Sequence, residues 1–153
     1  MRVVLFLMVA LTLALPGAAQ QAEPVIEAED PAPVLQVIDA VESGITLDEL
    51  RWVSRPIVVF ADTDRDPRFQ EQLDMLLDRP GPLIERDVVV IFDADPDARS
   101  PVRLALRPRG FSMVIVQRDG HVALRKPHPW DVREITRAID NLPMRIEEMG
   151  LSQ

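Results

Sequence analysis

Residues 57–69 read IVVFADTDRDPRF. Ile57–Ala61 is short, continuously apolar and rich in β-branched residues, the pattern of a strand buried on both faces. Asp66 followed by Pro67 forms a helix N-cap with proline at the first helical position. Beyond it Phe69, Leu73, Leu76 and Leu77 share one helical face, opposite Glu71, Asp74 and Asp78. A buried strand turning directly into an amphipathic helix begins an α/β unit. Arg79-Pro80-Gly81-Pro82 stops that helix.

Working outward, the alternation continues. Val88–Phe92 is a second apolar strand, ending in DADPD, and Ser100-Pro101 opens a short helix that Pro108 closes. Phe111–Val116 and Val122–Leu124 are strands joined by RDGH, where Asp119-Gly120 suits a two-residue hairpin with positive φ at both positions. Asp131 caps the last helix, Glu134 completes a capping box, and Trp130 is placed to staple onto Ile135. Val132, Ile135, Ile139 and Leu142 face inward, and Pro143 ends the helix. Trp52 and Trp130 are expected to close the core. The order β-α-β-α-β-β-α makes the first two strands parallel across a helical crossover and the last two antiparallel. It predicts an α/β, thioredoxin-like fold with a four-stranded mixed sheet flanked by helices.

The N-terminus has the features of a secretory signal over 1–19: Arg2, an apolar run from Val3 to Leu15, and small residues before a cut after Ala19. The run is shorter than the roughly 20 residues of a membrane span, although an uncleaved anchor is the alternative. The expected location is periplasmic or secreted, without membrane insertion once the signal is removed. Residues 20–45 form an acidic arm rich in Pro, Glu and Ala. Within it Val34, Leu35, Ile38 and Val41 repeat at helical spacing before Gly44, predicting a short amphipathic helix. Thr46 and Glu49 make a capping box for another short helix ending near Trp52, and the domain is expected over 46–149.

Composition excludes several functions. The 153 residues include no cysteine, so disulfides, thiol–disulfide exchange, thiol peroxidase chemistry and a cysteine-linked lipid anchor are ruled out. The net charge of −8 gathers in the arm, where residues 20–50 hold acidic side chains and no basic one. No basic face suggests nucleic acid. Lys126 is the only lysine.

The segments LDELRWVSRPIVVFADTDRDPRFQEQL, LIERDVVVIF, FSMVIVQRDGHVAL and AIDNLPMRIEEM, covering Leu47 to Met149, resemble an uncharacterised family with a thioredoxin- or peroxiredoxin-like fold, the P-DUDES group. Its members occur as short exported bacterial proteins and within secreted animal matrix proteins. The most specific pieces are Trp52-x-x-Arg55-Pro56, Glu85-Arg86-Asp87, Asp119-Gly120 and Pro143-Met144-Arg145 with Glu148-Met149. Gln117-Arg118 departs from the Gly-Lys expected before the hairpin turn. The resemblance implies a fold and an extracytoplasmic setting but no reaction. In thioredoxins the turn after the first core strand holds the two cysteines, and a cis-proline precedes the third. Here the turn is Asp62-Thr63-Asp64, and alignment places Ser112 at the proline.

Asp62, Thr63, Asp64, Asp66 and Ser112 would form a partner-binding edge for an extracytoplasmic protein or peptide, beside the ordinary role of such aspartates as turn formers and caps. Asp62, Asp64, Asp93 and Asp95 lie after two adjacent parallel strands. There they could converge on a divalent cation, Ca²⁺ or Mg²⁺, as a binder or a metal-dependent hydrolase. Pro67 and Leu73 occupy positions that exclude an EF-hand. Asp62 and Asp64 also fit the opening of a haloacid-dehalogenase-type phosphatase, but the further lysine and acidic pair have no counterpart. Arg55, Arg86 and Arg145 suit carboxylate or phosphate recognition, with Asp87 and Glu148 near in sequence to pair with them instead. His121 and His128 lack metal-ligand spacing or a partner nucleophile. No organic cofactor is expected. The favoured expectation is a non-redox interaction domain.

Overall fold

The computed structural model describes residues 32–151, except for the side chain of Leu151. The expected signal and residues 20–31 of the arm lie outside the described residues. The strands are β1 (Gln36–Asp39), β2 (Arg55–Phe60), β3 (Val88–Asp93), β4 (Ser112–Val116) and β5 (Val122–Lys126). The helices are α1 (Ala40–Ser43), α2 (Pro67–Asp78), α3 (Gly81–Ile84), α4 (Pro101–Leu106), α5 (Val132–Asp140) and α6 (Pro143–Leu151). Two short 3₁₀ turns cover Asp48–Leu50 and Pro96–Ala98.

One open mixed sheet runs in the order β1-β3-β2-β4-β5. β2 is parallel to β3 and antiparallel to β4, and β5 closes the far side antiparallel to β4. All six residues of β2 are buried: Ile57–Phe60 as a continuous apolar run requires of a central strand, and Arg55 with them. Ile57, Val59 and Ala61 pack on one face with Phe69, Leu76, Ile135 and Ile139 from α2 and α5. Val58 and Phe60 pack on the other with Ala40, Leu50, Val102 and Leu106.

The sheet has five strands, not four. The helical spacing over Val34–Val41 is misleading, because Gln36–Asp39 is extended and parallel to β3, from Gln36↔Val89 to Asp39↔Phe92. The open hydrogen-bonding edge of β3 outweighs a weak amphipathic pattern. Only one helical turn follows, α1, which Gly44 ends in the left-handed region at φ 64°.

Four local expectations change as well. Trp52 does not close the core: it is 62% exposed and has φ 66°. Its N–H donates to the Arg118 carbonyl at 2.7 Å, and its carbonyl accepts from the Arg118 guanidinium at 2.8 Å. On α2, Leu77 is exposed and Gln72 takes the buried place beside Phe69 and Leu76. Pro143 ends α5 only by starting α6. The hairpin is a three-residue loop in which Gly120 has φ 91° and Asp119 is not left-handed. Gly120 N–H bonds the Gln117 carbonyl at 2.9 Å, and Gln117 N–H bonds the His121 carbonyl at 2.8 Å, as in a turn ending in a bulge. Both capping boxes form, at Thr46/Glu49 and at Asp131/Glu134.

Candidate functional site at the sheet edge

The C-terminal ends of β1, β2, β3 and β5 and the start of β4 share one edge of the sheet, where open α/β folds place ligands. Asp62, Thr63 and Asp64 are exposed there. The Thr63 hydroxyl donates to Asp64 at 3.2 Å and accepts from Arg65 N–H at 3.3 Å. Asp66 is committed to α2: it accepts from Arg68 N–H at 2.9 Å and pairs with the Arg68 guanidinium at 2.7 Å. That side-chain hydrogen bond holds the Asp66 carboxyl below the ordinary value.

The two aspartate clusters are only partly brought together. Asp64 and Asp95 line a cleft of about 430 Å³ with Asp39 and Glu42. Asp39 caps α1, and Asp95 accepts from Asp97 and Ala98 N–H at 3.0 and 3.3 Å. Asp93 lies apart from that cleft, buried in a polar network. It receives the Arg103 guanidinium at 2.8 and 3.0 Å, the Ser100 hydroxyl and Asp95 N–H. Burial alone would raise its pKa, but the bonds from Arg103 and Ser100 outweigh it and hold the carboxyl below the ordinary value. Arg103 also donates to the Ala61 carbonyl at 2.8 Å, tying α4 to the ends of β2 and β3. Among the described residues no three histidine or acidic side chains are grouped to hold a metal ion.

Arg55, Arg86 and Arg145 are placed away from this edge, in a network under α6. Arg55 is fully buried in β2, donating to the Arg86 carbonyl at 2.6 Å and to Glu148 at 3.2 Å. Arg86 grips Asp140 through two bonds, at 2.8 and 2.7 Å, and Arg145 reaches Glu148 at 3.2 Å. Burial would raise the Glu148 pKa, yet Arg145 and Arg55 bring it below its ordinary value.

Ser112 opens β4 opposite Phe60, on the face that packs against α4. Its hydroxyl is buried and has no hydrogen-bond partner. Ser112 lines an open cleft of about 470 Å³ with Leu106, Arg107, Arg109, Phe111 and Arg125. Arg125 donates to the Leu106 carbonyl at 2.9 Å, while Arg107 ends α4 in the left-handed region at φ 48°. These arginines escaped the sequence reading. The signal was the short basic run RPRG at 107–110, inconspicuous beside the acidic turns. Gln72 escaped too: buried, it exchanges two 2.9 Å bonds with the Trp130 backbone.

The family model for a domain of unknown function, DUF4174, matches residues 46–148, about two-thirds of the chain, and the chain belongs to that family. The search of curated proteins gave no match.

Proposed function

We propose that this chain is an exported, cysteine-free domain of thioredoxin-like architecture, related to the P-DUDES group, that acts by binding rather than by redox chemistry. Its partner is an extracytoplasmic protein or peptide, engaged at the sheet edge that carries Asp62–Asp64 and Ser112. The strand order β1-β3-β2-β4-β5, with parallel β2/β3 followed by an antiparallel pair, supports the architecture. The segment after Met1, with Arg2 and its apolar run, supports export.

One observation carries the binding reading. A buried hydroxyl without a partner destabilises a fold by about 1–3 kcal/mol, and Ser112 holds one in the wall of an open cleft. The side chain is explained by a contact that the folded chain alone does not make.

The test is photo-cross-linking in the native compartment, with the reactive residue at Asp62, at Pro127 in the wall of the Ser112 cleft, or at Arg133 on α5 as a control. Asp66 is left intact because its loss would uncap α2. The reading expects one partner captured from 62 and 127 and not from 133. Capture from 133 alone, or from none, overturns it.

A further inference from the structure

We infer that the cleft between α4, β4 and β5 receives an oxyanion, a carboxylate or a phosphate carried by the ligand. This rests on the binding reading above and specifies the chemistry of the contact.

Two segments bring three arginines to the same cleft: Arg107 and Arg109 from the connection between α4 and β4, and Arg125 from β5. Arg125 is oriented by its bond to the Leu106 carbonyl, which uses one of its five donors. Among the described residues, Arg107 and Arg109 have no acceptor for their guanidinium groups. The acidic side chains of the same sheet edge gather instead in the other cleft, around Asp39, Glu42, Asp64 and Asp95. Asp62 is an exception, its carboxylate lying close to Gly110 in the connection that carries Arg107 and Arg109. Arg107 stands in a left-handed position that glycine or asparagine takes at lower energy, so helix geometry does not account for arginine there.

Ser112 supplies the second, separate indication. Its hydroxyl is buried and unpartnered, and Ser112 lines the same cleft as three arginines whose guanidinium groups can donate but not accept. An anionic oxygen satisfies both needs, accepting from the hydroxyl and from a guanidinium fork. An apolar ligand satisfies neither, and a cation is repelled. The cleft volume of about 470 Å³ suits one side chain or headgroup rather than an extended polymer.

The experiment is an NMR titration of isotope-labelled full-length protein, following the arginine side-chain N–H signals. One arm uses inorganic phosphate and the other N-acetylglutamate, which separates a phosphate source from a carboxylate source. Expected are saturable shifts at Arg107, Arg109 and Arg125 in at least one arm, with Arg133 and Arg137 unmoved. Ser112→Ala should weaken that binding about tenfold, the scale of one hydrogen bond to a charged group, without lowering the thermal midpoint. Arg109→Ala, at an exposed position, should abolish it with the fold intact. Equal shifts at Arg133, absence of saturation in both arms, or unchanged binding by both variants overturns the inference. A partner cross-linked through position 127 while neither anion binds would leave the binding reading standing and remove only its anionic chemistry. Anion binding without any captured partner would do the reverse.

Discussion

Asp93 shows what one residue can decide in this fold. Aspartate after a buried strand reads equally as a ligand to a cation, a turn former or a structural ion. Here its buried carboxylate takes bonds from Ser100 and Arg103 and also turns the chain by accepting from Asp95 N–H. Asp93→Asn should therefore destabilise by about 3 kcal/mol in urea unfolding, because Arg103 is left buried without its counter-ion. The difference should also depend on pH. The folded pKa lies below the ordinary aspartate value of 3.8, so the unfolded chain takes up the proton first. The contribution is complete above about pH 4 and disappears as the pH falls through the folded value. Wild type and variant should therefore converge in acid; a constant gap would mean that the charge is not the stabilising element. Gln72 makes a neutral version of the same argument. Gln72→Leu should lower stability by about 2 kcal/mol, since it strands the Trp130 N–H and carbonyl. A change within error would show that water replaces the amide.

At the scale of elements, α6 is tied to the sheet by charge. Its Glu148 meets Arg55 from β2 and Arg145 from its own helix, while Arg86 reaches Asp140 at the end of α5. Glu148→Ala should lower stability by about 2 kcal/mol, less than a fully buried pair because Glu148 is partly exposed. The loss should appear first as faster amide exchange in α6, before global unfolding. Uniform acceleration through β2 and β4 would argue that α6 is integral to the core. The segment before β2 gives a contrasting case. Trp52 is exposed in a left-handed conformation that costs a non-glycine residue about 1–2 kcal/mol. Trp52→Gly should leave the unfolding midpoint unchanged or raised, since relief of that strain offsets the greater freedom of unfolded glycine. A clear drop would show that the ring contributes packing despite its exposure.

For the whole molecule, the sheet extends beyond the segment that defines the family. The match begins at residue 46, whereas β1 pairs with β3 from Gln36 and α1 buries Ala40. A chain beginning at Thr46 would leave the edge of β3 unpaired and Ile91 and Val89 less covered. Its thermal midpoint should fall by roughly 10 °C or more relative to one beginning at Ala32, with self-association at high concentration. Equal midpoints would make β1 an accessory strand. The same assembly creates the two clefts. Arg125 joins Arg107 and Arg109 only because α4 packs on β4 and its Leu106 carbonyl accepts from Arg125 of β5.

The sequence by itself determined the features that depend on neighbouring residues. The unbroken apolar runs of β2 and β3, the caps at Asp66, Ser100 and Asp131, and the stops at Gly44 and Pro108 are local preferences of the chain, and each appears where its residues require. The absence of cysteine settled the exclusion of thiol chemistry without any structure. Tertiary structure alone decided whatever depends on a distant partner. β1 became a strand because β3 offered an open edge. Asp93 became buried because Arg103 reached it from ten residues away, and Arg55 because Glu148 arrived from the other end of the domain. Ser112 acquired an unpartnered hydroxyl in an arginine-lined cleft for the same reason. Local propensities act within a turn or two of chain, whereas burial, ion pairing and cleft formation depend on which segments the sheet brings together.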